Sequence, residues 1–277
     1  MMVERVTITV KQDVLKRLDN MVDRRNIRNR SHAIEVMLSR AFGKTDIDTA
    51  LILAGGEGVN LRPITYEIPK PLIPINGRPI LEHQIRMLKK YDIRNLVVSV
   101  GYMKEKVMEH FGNGSNFGVS IEYIAEDKPF GTAGCLMPAK ELIRNRFVMV
   151  NVDTLLNPDL YEMHEFHKSQ GTLATVLLST SSETKNYGVA KMRGNRVVHF
   201  KEKPARSTSN IINAGLCIFE PGVSDYVTRQ KFMIEELFNR LARDGQLSGY
   251  VYDGMVLDAG SHDGYERAIR AMKGGEV

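Results

Sequence analysis

Hydrophobic and polar residues alternate strictly near the start of the chain, over residues 5–11. Val6, Ile8 and Val10 share one side of this segment, and charged or hydroxyl residues occupy the other. An alternation with a period of two is typical of a β-strand that buries one face. The pattern therefore predicts a half-buried strand.

The apolar spacing then changes to one residue in four, which is the spacing of a helix with one buried face. It recurs in two stretches, first at Val14, Leu18 and Val22 and then at Ile34, Leu38 and Phe42. We expect a first helix over about residues 13–25. We expect a second helix that Ser31 caps and that ends just before Gly43.

A strand and two helices in so short a segment cannot bury their apolar faces alone. Two copies can, when their strands pair antiparallel over the four helices. The first module, residues 1–44, is therefore expected to form a homodimer.

Positive charge is concentrated in the same module. The chain holds 38 Lys and Arg residues and 33 Asp and Glu residues, of which residues 1–44 hold ten and five. That difference equals the net charge of +5 of the whole chain, so the remaining residues sum to zero. A small module with concentrated positive charge is typical of proteins that bind a polyanion.

The order of these elements, with the run NRSHAI at residues 29–34, resembles the ribbon-helix-helix family of DNA-binding proteins. The resemblance implies that Arg5, Thr7 and Thr9 read base edges in the major groove. It implies that Arg30 and Ser31 hold a DNA phosphate at a helix N-terminus. Two alternatives remain open: the polar residues form an ordinary solvated strand face, or the module serves dimerisation alone.

From residue 50 onward, short apolar runs alternate with amphipathic stretches. After a polar linker at residues 45–49, the apolar run 50–54 ends in glycines, as a buried parallel strand does. Further strands are expected at 96–100, 120–124 and 146–150, with a helix at 104–111. The alternation predicts an α/β domain over residues 50–277, built on a doubly wound mixed sheet of Rossmann-like type.

Composition limits where such a protein works. The chain is 43% hydrophobic and 26% charged, which is ordinary for a globular protein. No apolar run approaches the roughly 20 residues that span a bilayer, and the charged start is unlike a signal peptide. Cys135 and Cys217 lie far apart in apolar surroundings, which indicates buried free thiols. We therefore expect a cytoplasmic protein with no membrane partner.

A glycine-rich turn, AGGEG at residues 54–58, follows the first apolar run of the large domain. Glycines at this place let backbone amides approach phosphate oxygens. Lys70 follows between two prolines, whose rings stiffen the backbone on both sides. A lysine held in this way is a suitable phosphate ligand, although a solvated lysine in a proline-rich loop has the same sequence.

Six further segments, in order, resemble the sugar-1-phosphate nucleotidyltransferases, the family of glucose-1-phosphate thymidylyltransferase and mannose-1-phosphate guanylyltransferase. They are residues 129–134 (PFGTAG), 151–153 (NVD), 187–189 (YGV), 202–204 (EKP), 213–215 (NAG) and 258–260 (DAG). The resemblance covers nearly all of residues 50–275. It implies a reaction in which a nucleoside triphosphate and a sugar-1-phosphate give a nucleotide sugar and pyrophosphate.

The resemblance also implies the site residues. Asp153 and Asp258 would hold Mg²⁺ and act in catalysis with Lys70, although each aspartate is also suited to an ordinary helix N-cap. The residues expected to bind the nucleotide are Leu53, Ala54, Gly55, Gly56, Gly58, Glu126 and Gly131. Those expected to bind the sugar phosphate are Gly188, Glu202, Lys203 and Asn213.

The sequence departs from the family at the glycine turn, where Val59 and Asn60 replace a Thr-Arg pair. In the family this arginine clamps the triphosphate, and losing such a donor costs on the order of 10²–10³ in rate. Arg62 follows two residues later, where an extended loop would direct it elsewhere. Two functions stay open: a transferase, slow or with Arg62 recruited, and a DNA-binding regulator that senses a nucleotide or nucleotide sugar without turnover.

Overall fold

A computed structural model describes residues 7–22, 29–41, 45–228 and 231–274. Arg5, predicted to contact DNA, lies outside these ranges. The chain divides into two compact units, a small unit, Met1–Thr45, and a large unit, Asp46–Val277. Within the described ranges, every helix is too short or too polar to cross a membrane.

The small unit contains helices α1 (Gln12–Met21) and α2 (Arg30–Ala41). The prediction that Ser31 caps α2 is wrong, because the helix begins one residue before it. The Ala33 amide donates to the Asn29 carbonyl at 2.9 Å, so Asn29 is the first acceptor and takes the N-cap position that asparagine favours. Helix α1 is also shorter than predicted, since Val22 already has an extended backbone.

Apolar side chains of the small unit are open to solvent in the single chain. Ile8, Val14 and Leu38 are 53%, 41% and 45% exposed. Residues 7–11, the described part of the predicted strand, have no strand pairing. A ribbon strand forms its hydrogen bonds with the strand of a second copy, so one copy alone leaves this segment unpaired.

The large unit alternates strands and helices. Its strands are β1 (Thr49–Leu53), β2 (Pro74–Ile75), β3 (Arg78–Pro79), β4 (Asn95–Val100), β5 (Ser120–Ala125), β6 (Phe147–Asn151), β7 (Thr154–Leu155), β8 (Ala174–Thr180), β9 (Val189–Arg193), β10 (Arg196–Lys201), β11 (Ile211–Phe219), β12 (Leu247–Val251) and β13 (Leu257–Asp258). Its helices are α3 (Ile64–Glu67), α4 (Ile80–Lys89), α5 (Lys104–Phe111), α6 (Leu136–Leu142), α7 (Leu160–Gln170), α8 (Ile234–Arg243) and α9 (His262–Gly274).

The main sheet is mixed, as predicted, with strand order β5-β4-β1-β6-β11-β8-β12-β10-β9. Strands β5, β4, β1 and β6 are parallel, and β11 is antiparallel to both β6 and β8. Because the parallel strands share a direction, the turns after β1 and β6 lie at the same edge of the sheet. A separate pairing of β13 with β7 brings the end of the chain to that edge.

Both faces of the sheet are buried. Ala50 and Ile52 of β1 belong to one apolar cluster, and Leu51 between them belongs to the cluster on the other side. This explains why β1 is a continuous apolar run rather than an alternating one. Cys135 and Cys217 are buried free thiols, as predicted, and burial raises the pKa of Cys135 to about 12.

The start of the large unit is fixed by a polar contact between the exposed Asp46 and two more buried side chains. Asp46 accepts from Arg146 at 2.9 Å and lies 2.5 Å from His164 Nε2, and Ile47 is almost fully buried. Residues 46–49, which the polar sequence assigned to a linker, therefore pack on the large unit, and Thr49 opens β1.

Candidate active site

The glycine turn leaves the end of β1 at the sheet edge. The Ala54 amide donates to the Ser99 carbonyl at 2.8 Å, which keeps the turn beside β4. Gly58 has a φ of +65° and leads into a single 3₁₀ turn, Val59–Leu61. The left-handed backbone at Gly58 lets the chain turn back toward Lys70, whose own 3₁₀ turn spans Lys70–Leu72.

Lys70 extends from its proline-flanked turn toward the glycine turn. Its Nζ lies 3.9 Å from the position that a Cβ on Gly56 would take. The same Nζ donates to Asp153 Oδ2 at 2.6 Å. One ammonium group therefore lies beside the backbone of the glycine turn and beside a carboxylate at the end of β6.

Asp153 and Asp258 converge on one glycine. A Cβ on Gly260 would lie 2.8 Å from Asp153 Oδ2 and 2.9 Å from Asp258 Oδ1. Strand pairing sets this geometry, because Asp258 in β13 lies opposite Thr154 in β7. The Ala259 amide also donates to the Asp153 carbonyl at 2.8 Å. The two carboxylates thus lie at the same edge of the sheet, and both approach Gly260.

The electrostatics of this pair favour a bound cation. Burial raises the pKa of Asp258, and the negative charge of Asp153 raises that pKa further. The Gly260 amide, Lys70 and Lys203 act in the opposite direction. Two partly buried carboxylates that repel each other are stabilised when a cation lies between them.

The predicted sugar-phosphate residues form a second cluster. A Cβ on Gly188 would lie 2.7 Å from Glu202 Oε2, and the Asn213 amide donates to the Gly188 carbonyl at 2.8 Å. The Lys203 amide donates to the Tyr187 carbonyl at 3.1 Å, and Lys203 has a φ of +41°. Burial raises the pKa of Glu202. Lys203 is held in a backbone conformation that non-glycine residues rarely adopt, which is typical of functional sites.

Asp153, Asp258 and the second cluster line one open pocket with a volume of about 220 Å³, and Gly56 and Lys70 are not among its lining residues. Its lining includes Leu53, the two aspartates Asp153 and Asp258, and the Gly188–Glu202–Asn213 group. The pocket has further polar lining residues to which sequence reasoning gave no role: Thr132, Asn151, Thr154, Asn186 and Tyr187. Thr132, Asn151 and Tyr187 lie inside segments that resemble the nucleotidyltransferases. The sequence therefore indicated their neighbourhood, but their residue types alone did not indicate a role in the site.

Neither Glu126 nor Gly131 lines this pocket, and Glu126 supports the glycine turn instead. Glu126 accepts from Ser99 Oγ at 2.5 Å and from the Phe130 amide at 2.9 Å. A Cβ on Gly55 would lie 3.0 Å from Glu126 Oε1. Gly131 packs against the Phe232 carbonyl, 2.6 Å from where a Cβ would be. Glu126 therefore ties residue 130 to the glycine turn.

The departure from the family pattern is visible in the turn. Val59 and Asn60 are exposed, and Arg62 donates to Glu57 Oε2 at 3.1 Å. The Arg62 guanidinium also lies 5.2 Å from the centre of the Tyr66 ring. Arg62 is therefore held by partners on its own loop.

The predicted DNA-contact residues of the small unit are mostly open. Thr7, Thr9 and Ser31 are exposed. Arg30, by contrast, donates to Asp19 of α1 at 2.7 Å, and this side-chain hydrogen bond raises the pKa of Arg30 and lowers the pKa of Asp19. The guanidinium that was expected to hold a phosphate is thus paired with a carboxylate of the same unit.

Sequence comparison finds two families. The family model described as nucleotidyl transferase matches residues 49–274, and the model described as ribbon-helix-helix protein, copG family, matches residues 4–44. Mannose-1-phosphate guanylyltransferase catalytic subunit beta from Xenopus tropicalis is 35% identical over 218 residues, covering 76% of this chain and 61% of that protein. Mannose-1-phosphate guanyltransferase from Neurospora crassa is 36% identical, with coverage of 76% and 60%. The chain thus spans about three-fifths of these curated relatives.

Solved structures agree on the fold. A putative glucose-1-phosphate thymidylyltransferase from Bacillus anthracis superposes with a TM-score of 0.75 at 28% identity, covering 80% of this chain and 94% of that chain. A UDP-glucose pyrophosphorylase has a TM-score of 0.72 at 20% identity, with coverage of 83% and 99%, and supports the fold alone.

Proposed function

The chain belongs to the nucleotidyl transferase family, and we propose that its large unit transfers a nucleotidyl group from a nucleoside triphosphate to a sugar-1-phosphate. An oxygen of the sugar phosphate attacks the α-phosphorus, and the bond from that phosphorus to the pyrophosphate oxygen breaks. The observation that carries the proposal is the convergence of Gly56, Lys70, Asp153 and Asp258 at one edge of the sheet. Charge neutralisation and positioning are what this transfer requires of a protein.

The glycine turn is the proposed nucleotide site. Leu53, Ala54 and Gly55 line the base, with Glu126 and Gly131 behind them. Gly56 and Gly58 offer backbone amides to the triphosphate, and Lys70 offers its ammonium group. The support is that the Lys70 Nζ already lies beside Gly56.

Asp153 and Asp258 are the proposed Mg²⁺ ligands. Mg²⁺ is commonly held by one or two carboxylates plus substrate phosphates and water, and these two carboxylates flank the same glycine. No group of three or more His, Cys, Asp and Glu side chains suited to a metal occurs among the described residues, so the pair fits a shared substrate metal better than an all-protein cage. A bound Mg²⁺ would neutralise charge on the phosphate oxygens.

The second cluster is the proposed sugar-phosphate site. Lys203 holds the phosphate, and Glu202, Asn213 and the Gly188 backbone accept or donate hydrogen bonds to the sugar hydroxyls. The support is that all four line the pocket that also contains Asp153. Because relatives of this chain carry the name mannose-1-phosphate guanylyltransferase, GTP and mannose-1-phosphate are the first substrates to assay.

The small unit is the proposed dimerisation and DNA-binding module. Its exposed Ile8, Val14 and Leu38 supply an apolar face for a second copy. In the paired ribbon, Arg5, Thr7 and Thr9 would contact base edges. Arg30 and Ser31 would contact a phosphate, which requires Arg30 to exchange its Asp19 partner.

A pyrophosphate-release assay with Mg²⁺, run over several triphosphates and sugar-1-phosphates, tests the proposed reaction. We expect release with one pair and none when either substrate is omitted. Tight nucleotide binding without pyrophosphate release from any pair of triphosphate and sugar-1-phosphate would contradict the proposed transferase activity.

That contrary result is the signature of the second candidate, a DNA-binding regulator that senses a nucleotide or nucleotide sugar. The observation in its favour is the loop itself: Asn60 replaces the family arginine, and Arg62 is paired with Glu57. A regulator of this kind would change its DNA affinity when the nucleotide or nucleotide sugar is added, a readout that is independent of turnover.

A further inference from the structure

Basic residues are concentrated outside the candidate active site, in the β9–β10 hairpin and the loop after it. Residues 191–206 contain six Lys and Arg residues and one acidic residue, and all of these except Lys203 and Glu202 lie outside the site proposed above. The chain beyond residue 44 has equal numbers of basic and acidic residues. Residues 191–206 therefore carry a local excess of positive charge in a unit whose net charge is zero.

The hairpin directs this charge to one face. Lys191 of β9 lies directly opposite His199 of β10, and both are exposed, while Phe200 and Ala190 form the next pair and are buried. Lys201 follows His199 on the exposed face. Side chains two residues apart on a strand are about 6.6 to 6.8 Å apart, so the cations form a row along the edge of the sheet.

The loop after β10 adds to the row. Arg206, Ser207 and Thr208 line a shallow pocket together with Lys191 and Lys201, with a volume of about 220 Å³. Ser209 Oγ donates to the Ala190 carbonyl at 2.8 Å, which holds the loop against β9. The loop thus adds the Arg206 guanidinium and the Ser207 and Thr208 hydroxyl groups to the pocket that the two lysines line.

The cations of this row have no carboxylate partner in the part of the chain that the structure describes. Among the described residues, no Asp or Glu oxygen lies within 4.0 Å of the Lys191, Lys201 or Arg206 charge, whereas exposed Lys140, Lys168 and Arg270 are each paired. A row of uncompensated cations on rigid strands is therefore a surface suited to an anionic partner.

We propose that the outer face of the β9–β10 hairpin binds the phosphate backbone of duplex DNA. A polyanion fits better than a single phosphate, because the row continues along β9 from Lys191 to the exposed Arg193. The choice of DNA among polyanions rests on the proposed DNA binding of the small unit. Contacts to phosphate alone carry no sequence preference, so the hairpin strengthens binding to every duplex alike.

The test measures binding of the full chain to two duplexes, its own upstream DNA and a scrambled sequence, over a range of salt. We expect the triple variant Lys191→Gln, Lys201→Gln and Arg206→Gln to reduce the slope of log K against log salt by about 2.7 on both, at about 0.9 per contact. The matched variant Lys140→Gln, Lys168→Gln and Arg270→Gln loses the same charge and should leave the slope nearly unchanged.

A variant of the small unit separates the two surfaces. Thr7→Ala with Thr9→Ala should remove the preference for the upstream duplex and leave the hairpin contribution to the slope intact. If the small unit does not read DNA, the wild type binds both duplexes equally and the hairpin variant still lowers the slope, which supports the proposal. The proposal is overturned if the hairpin variant keeps the wild-type affinity and salt slope on both duplexes. It is also overturned if the hairpin variant binds inorganic pyrophosphate more weakly than the wild type while its DNA binding is unchanged.

Discussion

Lys70 Nζ lies 2.6 Å from Asp153 Oδ2, and the two side chains are only 16% and 19% exposed. The contact joins the proline-flanked turn to the end of β6. It holds the ammonium group beside Gly56 and offsets part of the charge of the two aspartates. Removing either partner leaves a partly buried charge uncompensated, so both are expected to matter more than an exposed pair would.

Lys70→Met should lower pyrophosphate release by on the order of 10²–10³, because a fixed cation at the phosphates is lost. Steady-state kinetics of release measure the effect. Lys140→Met is the matched control, since Lys140 donates to Asp225 at 2.8 Å in an exposed pair and neither residue lines the pocket. Equal activity of the two variants would exclude Lys70 from the reaction.

Gly260→Ala should lower release at least about tenfold, because loss of positioning by even a small displacement reduces rate strongly. A methyl group there would lie 2.8 Å and 2.9 Å from the Asp153 and Asp258 carboxylates and must push them apart. Gly222→Ala, whose nearest neighbour would be at 3.5 Å, serves as control. Wild-type activity in Gly260→Ala would show that the spacing of the carboxylates is not critical.

Asn60→Arg together with Val59→Thr should raise release by on the order of 10²–10³, because the change restores a preorganised charged donor to the glycine turn. Asn60→Lys with Val59→Thr adds the same charge without the planar guanidinium and should recover less. No gain from either variant would mean that the replaced pair does not limit the rate.

Asp19→Asn should strengthen DNA binding, because Arg30 is then released to contact a phosphate. We expect log K to fall more steeply with log salt, by about 0.9, which corresponds to one added contact. Asp13→Asn makes the same change of charge on the same helix, where Asp13 is exposed. Identical salt slopes for the two variants would argue against a role for Arg30.

Acid should destabilise the large unit through two buried histidines. Burial lowers the pKa of His167 to about 4 and also lowers the pKa of His164. The unfolded chain, with an imidazole pKa of about 6.5, takes up protons first, so the free energy of unfolding falls as the pH drops from about 6.5 to 4. The contribution of the two neutral histidines to the free energy of unfolding is fully retained above pH 6.5, which is about the pKa in the unfolded chain.

Urea unfolding at several pH values checks this dependence. Each buried histidine contributes a slope of at most about 1.4 kcal/mol per pH unit. His167→Gln should flatten the curve, and His110→Gln, at an exposed position of α5, should not. A wild-type curve that is flat between pH 4 and 6.5 would contradict the assignment of these histidines as neutral in the fold.

The elements of the large unit were predictable where periodicity and length agreed. The strand expected at 96–100 is β4 (Asn95–Val100), and the helix expected at 104–111 is α5 with the same bounds. The end of α1 was not predictable from apolar spacing, because Val22 continues the spacing while its backbone is already extended. The prediction that Ser31 caps α2 failed because serine and asparagine are both favourable N-cap residues, and in the structure the N-cap position is taken by Asn29.

The sequence predicted which residues belong to the site, but it did not predict how those residues contact one another. Motif order selected Asp153 and Asp258, but their spacing depends on the β7–β13 pairing and on Gly260, which no local pattern shows. Such contacts form between segments that the fold brings together, so they appear only in three dimensions.

Pyrophosphate release by the double-mutant cycle of Asp153→Asn and Asp258→Asn tests the central claim most directly. If the two carboxylates act as one cation site, each single variant should lose on the order of 10²–10³ in rate. The double variant should then be little worse than either single variant. Full activity of Asp258→Asn, or losses that simply multiply in the double variant, would contradict a shared site.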